Sequence, residues 1–158
     1  MKVLELCDIN LNEKISFNNK DIFILSQKME IFCIKNKILS LSAVQVGINY
    51  NLFTYCINDK FKHILDCEYY PLSDKKFMSV ESCKSISNGS KRYQVERYEK
   101  ILVRGKEILL DKPEIFSFEK EYFRDMECCI FQHEIDHYDK KTIDQIGKEI
   151  HIQERIKI

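Results

Sequence analysis

Phe131-Gln132-His133-Glu134-Ile135-Asp136-His137 contains the pattern H-E-x-x-H, and its spacing carries a mechanism. In an α-helix, residues four apart lie one turn above each other on one face. His133 and His137 can then aim both imidazoles at one metal ion. Glu134, one residue past the first ligand, can hold a water against that ion and take its proton. The chain has only four histidines in 158 residues, and two fall in this frame around a Glu. A surface helix with two chance histidines is the weaker account.

The pattern around the motif is helical from about Phe123. Met126, Cys129, Ile130, His133 and His137 share a face, and Lys140-Lys141 puts positive charge near the helix's negative end. The tail from Thr142 has some helical content and no strong apolar face. Near the other end, Asp21 reads as the N-cap of a helix running to about Lys37, with Ile22, Leu25, Met29 and Phe32 as its apolar stripe. Residues 1–20 read as irregular, with a short extended start at residues 3–6. Residues 38–47 are small and apolar around one amide, Gln45, and read as a buried loop or short strand.

The middle of the chain reads as β. Leu52–Ile57 and residues 62–67 are rich in β-branched and aromatic residues, with a turn at Asn58-Asp59-Lys60. Residues 77–80 form a short extended piece, and Asn88-Gly89-Ser90 is a turn signal. Residues 92–104 read as one long alternating segment, turned back at Gly105-Lys106 into residues 107–110. Pro113 breaks that pattern, and residues 115–118 form a further strand. No repeat or linker divides the chain. The expected fold is α+β: one domain over residues 1–158, with antiparallel strands around a central helix that bears the motif.

Composition narrows the function classes. Charge is balanced at 25 basic and 25 acidic residues, which argues against nucleic acid or a membrane surface as the main partner. A hydrophobic share of 44% suits a packed core rather than disorder. No apolar run nears the roughly 18 residues of a membrane span, and Met1-Lys2-Val3-Leu4-Glu5-Leu6 lacks the core of a secretory signal. Seven cysteines, an odd count without disulfide-framework spacing, are expected as reduced thiols. The implied setting is a cytoplasm, or an equivalent reducing compartment such as an organelle stroma or a virus-infected bacterial cytosol. A monomer is expected.

Two histidines need a third ligand, with a fourth position left for water. Downstream candidates are Glu149, His151 and Glu154, in the weakly patterned tail. The stronger candidate is upstream: Cys83, in Glu81-Ser82-Cys83-Lys84-Ser85, because a thiolate with two imidazoles is a known catalytic set. Taken alone, Cys83 is one of seven cysteines and suits packing as well.

Three segments, in order, resemble the signatures of peptide deformylase. G-x-G-L-A-A-x-Q is matched by Ile38-Leu39-Ser40-Leu41-Ser42-Ala43-Val44-Gln45, E-G-C-L-S by residues 81–85, and Q-H-E-x-D-H fully by residues 132–137. The resemblance implies that Cys83, His133 and His137 hold one divalent metal, Fe(II) foremost, with zinc, nickel or cobalt able to replace it. Glu134 would be the general base and then the acid. Gln45 and the backbone amide of Lys84 would meet the oxyanion. The implied reaction frees the initiator methionine of nascent polypeptides from its N-formyl group, in the neighbourhood of the ribosome.

The implied substrate contacts are Ser40, Leu41, Arg97, Met126, Cys129 and Ile130. Plain helix core is an equal account of Met126, Cys129 and Ile130, and a solvated strand charge an equal account of Arg97. The chain departs from the signatures at Ile38, Ser40, Ser82 and Lys84. A side chain at 40 would crowd the substrate if glycine serves a close approach there. The Lys84 side chain would put a cation near an apolar substrate position or point to water. These departures keep two other readings open: a related metallohydrolase for a different amide, and a non-enzymatic metal-binding homologue.

Overall fold

The computed structural model describes residues 18–151; the expected extended start at residues 3–6 lies outside them. Helix α1 spans Asn19–Asn36. Its cap is Asn18, whose side chain accepts from the Asp21 amide at 2.9 Å. Asp21, expected as the cap, instead sits in the first turn, where its charge meets the helix's positive end. Ile22, Leu25, Met29 and Cys33 bury one stripe, and Lys37 ends the helix in the left-handed conformation.

Two antiparallel sheets follow. The larger has five strands in the order β1 (Ser40–Ser42), β2 (Leu52–Ile57), β3 (Lys60–Pro71), β6 (Lys100–Leu109) and β7 (Glu114–Phe123). The smaller is β4 (Lys76–Glu81), β5 (Arg92–Tyr98) and β8 (Lys148–Ile150). Ile57 pairs with Lys60 across the β2–β3 hairpin, so Asn58 and Asp59 form a two-residue turn. Both have positive φ, as the primed hairpin turns require.

The expected single strand over residues 92–104 is two strands in different sheets. The break has a cause that no local pattern shows. The Gln132 side chain accepts from the Tyr98 amide at 2.9 Å and donates to the Tyr98 carbonyl at 3.0 Å. A helix side chain thus takes the backbone bonds that would extend β5.

The expected turn at Gly105-Lys106 is also absent. β6 runs through Gly105, where a Cβ would lie 3.0 Å from Cys67 Cβ. Glycine serves close packing beside the irregularity of β3 between Leu65 and Glu68.

Helix α2 spans Met126–Tyr138, capped by Asp125, which accepts from the Cys128 amide at 2.7 Å. It starts later than expected, since Phe123 still pairs with Lys100 in β7. Cys128, Phe131 and Ile135 pack on the large sheet with Phe53, Tyr55, Ile64, Ile101 and Val103. Phe131 is fully buried, with ring centres of Tyr122, Phe53 and Tyr55 at 4.9, 5.6 and 5.6 Å. Truncating such a side chain to alanine costs about 3–5 kcal/mol, so this packing sets the height and rotation of the motif helix. A short helix α3 (Ile143–Ile146) follows. Among the described residues, no helix is long and apolar enough to cross a membrane.

Candidate active site

The rotation of α2 places Phe131 and Ile135 on the large sheet and turns the remaining motif residues toward β1, β4 and β5. Every residue from Phe131 to His137 is buried. His133 and His137 are one turn apart, with ring centres 4.5 Å apart. Cys83, just after β4, completes a group whose donor atoms all lie within 4.8 Å of one another. The Cys83 sulfur is 3.4 Å from His137 Nε2. The downstream candidates are elsewhere: Glu149 pairs across β8 with Tyr93 and reaches Lys91 at 3.8 Å, and His151 is exposed. Glu154 lies outside the described residues.

Each imidazole is oriented from behind. His133 Nδ1 donates to Glu81 Oε1 at 2.7 Å, leaving Nε2 for a metal. Glu81 is held in turn by Arg97, whose Nε and Nη2 donate to its two oxygens at 2.8 and 2.6 Å. The third arm of Arg97 donates to Asp136 Oδ2 at 2.7 Å, and Tyr69 donates to Asp136 Oδ1 at 3.3 Å.

Arg97 is 2% exposed. It is therefore neither a solvated strand charge nor a cavity-lining residue, and among the described residues its guanidinium donates to the carboxylates of Glu81 and Asp136. This buried network was not legible in the chain, because its five members come from β3, β4, β5 and α2.

His137 is oriented by two groups. Nδ1 lies 3.2 Å from Glu134 Oε2 and 3.3 Å from Ser42 Oγ. The Ser42 hydroxyl donates to Gln45 Oε1 at 3.1 Å, as does the Ser42 amide at 2.8 Å. With its own proton committed there, Ser42 Oγ accepts from Nδ1–H, which again leaves Nε2 for a metal. Gln45 then donates from Nε2 to Ser85 Oγ at 2.8 Å and to Cys83 Sγ at 3.4 Å. The longer bond is the one that can be given up to a ligand.

The charges follow from this geometry. Burial acts to raise the Cys83 thiol; the His137 charge and hydrogen bonds from His133 and His137 outweigh it and bring the thiol down to about 6. Burial acts to lower both imidazoles, yet the Cys83 and Glu81 bonds raise His133 to about 10, and Glu134 with Cys83 raises His137 to about 9. Burial acts to raise Glu81, but Arg97 and His133 hold it down at about 2. Glu134 is pushed up by burial and, more strongly, held below its ordinary value by His137, His133 and the Ser40 hydroxyl. A thiolate and two imidazoles with free Nε2 atoms suit a divalent metal of the zinc or iron type.

A cavity of about 800 Å³ opens onto Cys83, His133 and Glu134, with His137 buried behind them. Ser40, Gln45, Lys84, Met126, Cys129, Ile130 and Glu134 line it. Leu41 does not: it is fully buried in the core between α1 and the large sheet. Its side chain points into that core, so the substrate contact expected of Leu41 falls to its backbone in β1. Met78 and Val80 of β4, exposed in the cavity wall, were missed because alternate positions of an edge strand look alike in sequence.

An α+β frame carrying a Cys–His–His donor set beside a buried carboxylate is the arrangement of a mononuclear metallohydrolase. The polypeptide deformylase family model matches residues 9–149, and the chain belongs to that family. Its structure is similar to the peptide deformylase of Thermotoga maritima, with a TM-score of 0.77 at 20% identity over 92% of this chain and 95% of that one. It is also similar to a peptide deformylase from Synechococcus elongatus in complex with actinonin, with a TM-score of 0.74 at 19% identity, covering 92% and 78%. A third likeness is to peptide deformylase 1B of Arabidopsis thaliana in complex with an inhibitor, with a TM-score of 0.72 at 23% identity, covering 92% and 81%. No curated relative matches the sequence.

Proposed function

We propose that this chain is a metal-dependent peptide deformylase that hydrolyses the N-formyl group of initiator methionine on nascent polypeptides. The observation that carries the reading is the convergence of Cys83, His133 and His137 on one point beside Glu134, at the floor of a peptide-sized cavity. Cys83, His133 and His137 are the metal ligands. Fe(II) is the metal we assign, with zinc, nickel or cobalt fitting the same donors. When bound, the metal supplies Lewis acidity toward the formyl carbonyl and a water nucleophile near neutral pH.

The residues of the chain supply the rest. Glu134 takes a proton from water as oxygen adds to the formyl carbon, and returns it to the nitrogen as the C–N bond breaks. The products are formate and a free amine. Gln45 Nε2 shifts from Cys83 Sγ to the oxyanion, and the Lys84 amide is the second donor. Losing one such donor costs roughly 100- to 1000-fold in rate. Met126, Cys129 and Ile130, with Met78 and Val80, receive the methionine side chain. Ser40 lines the cavity with Glu134, and its hydroxyl helps hold that base below its ordinary value. The chain acts as a single domain in a reducing cytoplasm or its equivalent.

The test is formate release from a formyl-Met tripeptide by anaerobically purified, metal-loaded protein. Turnover should vanish in Glu134→Ala at unchanged metal content. No turnover above that control would overturn the reading.

A further inference from the structure

The wall of the cavity carries an uneven charge. Lys37 and Arg124 are exposed at its rim, and Lys84 and Arg92 are half-buried within it. The lining carboxylates are Glu81, Glu134 and Asp125. Glu81 is consumed by Arg97 and His133, and Glu134 is buried against His137. Asp125 is tied to the Cys128 amide as the cap of α2. On the cationic side, among the described residues the Arg92 side chain donates only to the Gly89 carbonyl, at 2.9 Å. Arg124 leans over the Phe77 ring and reaches Glu99 at 4.0 Å. Among the described residues, no carboxylate pairs with Lys37 or Lys84. Since the chain as a whole is neutral, this excess is a local arrangement, and low-dielectric cavity walls focus such a field.

The cavity also has the shape for an extended peptide. It lies between residues 38–40 at the start of β1 and residues 77–80 of β4. Among the described residues each of these strands is the outermost of its sheet, an edge of the kind an extended peptide pairs with. A formylated N-terminus is a neutral amide and brings no charge to the site. The apolar methionine side chain takes the Met78, Val80 and Ile130 side of the cavity. The field of the four cations therefore acts on the residues that follow methionine.

We infer that the site, taken as a deformylase site, selects formyl-methionyl chains with acidic residues at the positions after methionine. This deepens the proposed function and rests on it. Lys84 and Lys37 are the residues that set the preference, with Arg92 and Arg124 adding to the field. The selection acts on capture of the peptide, in KM and not in kcat, because the acidic side chains it acts on lie beyond the formyl group that reacts.

The experiment uses metal-loaded protein and three peptides: formyl-Met-Asp-Glu, formyl-Met-Ala-Ser and formyl-Met-Lys-Lys. All are C-terminally amidated, so that no terminal carboxylate mimics an acidic side chain. At low ionic strength, kcat/KM should be about tenfold or more higher for the acidic peptide than for the basic one, and the ratio should shrink as salt rises past a Debye length of about 8 Å. The double variant Lys37→Gln/Arg124→Gln should reduce the ratio while leaving the neutral peptide's kcat near its starting value. If that variant fails to fold, the salt dependence of the unaltered protein carries the test. Equal or inverted kcat/KM across the three peptides at low salt overturns the inference and leaves the deformylase reading standing. Absence of formate with all three overturns the deformylase reading; calorimetric Kd values for the same unreacted peptides then decide the charge preference, which falls if the acidic peptide binds no tighter than the basic one.

Discussion

Cys83 differs from Cys33, Cys67, Cys128 and Cys129 in its surroundings. Burial pushes Cys33 up to about 12 and also raises Cys67, Cys128 and Cys129, while two imidazoles bring Cys83 down to about 6. Above that value Cys83 is thiolate, the reactive form. In metal-free protein at pH 7, iodoacetamide should label Cys83 first, and added zinc should protect it; peptide mass spectrometry reads the order. Ser42 is a second case. It stands where the resembled signature has alanine, and its hydroxyl links Gln45 to the ring of His137. Ser42→Ala should weaken metal binding by roughly tenfold, as loss of a ligand's outer partner typically does. Chelator competition measures that, and the cobalt absorption spectrum should shift with it.

Among the elements, α2 is held on both sides by different physics. Toward the large sheet it is apolar packing around Phe131. Toward β4 and β5 it is the ion network of Arg97, Glu81 and Asp136. Removing the cation leaves two buried carboxylates uncompensated, so Arg97→Met should destabilise the fold by about 3–5 kcal/mol, read as a lower urea midpoint.

The same network predicts acid lability. Glu81 is held at about 2 in the fold, below its ordinary value near 4.5. The unfolded chain therefore binds the proton more readily, and the stability Glu81 contributes is complete above pH 4.5 and lost as pH falls toward 2. The fall in urea midpoint between pH 5 and 3 should be steeper in the unaltered protein than in Glu81→Gln.

For the molecule as a whole, metal and fold are linked. The donor set draws on both a late helix and the loop after β4, so an ion bound there ties α2 to the small sheet. Metal at about 100 times its Kd should add about 2.7 kcal/mol of stability, seen as a lower Tm after chelation. If the ion is iron, aeration should abolish activity through oxidation at the thiolate-bound centre, and a nickel-loaded sample should outlast it; equal half-lives in air would count against iron at that site.

The chain by itself determined the motif helix, the α+β class and the three-donor set, because these rest on spacing within a helix turn and on short ordered signatures. It also announced the β2 strand and the Asn58-Asp59 turn, where pattern and backbone preference are local. It could not divide residues 92–104, since alternation looks the same on both sides of the break and the Gln132 amide that makes it arrives from 34 residues away. Nor could it tell a solvated Arg97 from one buried between Glu81 and Asp136. Only the tertiary structure decided those points, along with the Ser42 link to His137 and the cations around the cavity. Each depends on which side chains meet across separate strands and helices, and that is settled by packing rather than by neighbours in sequence.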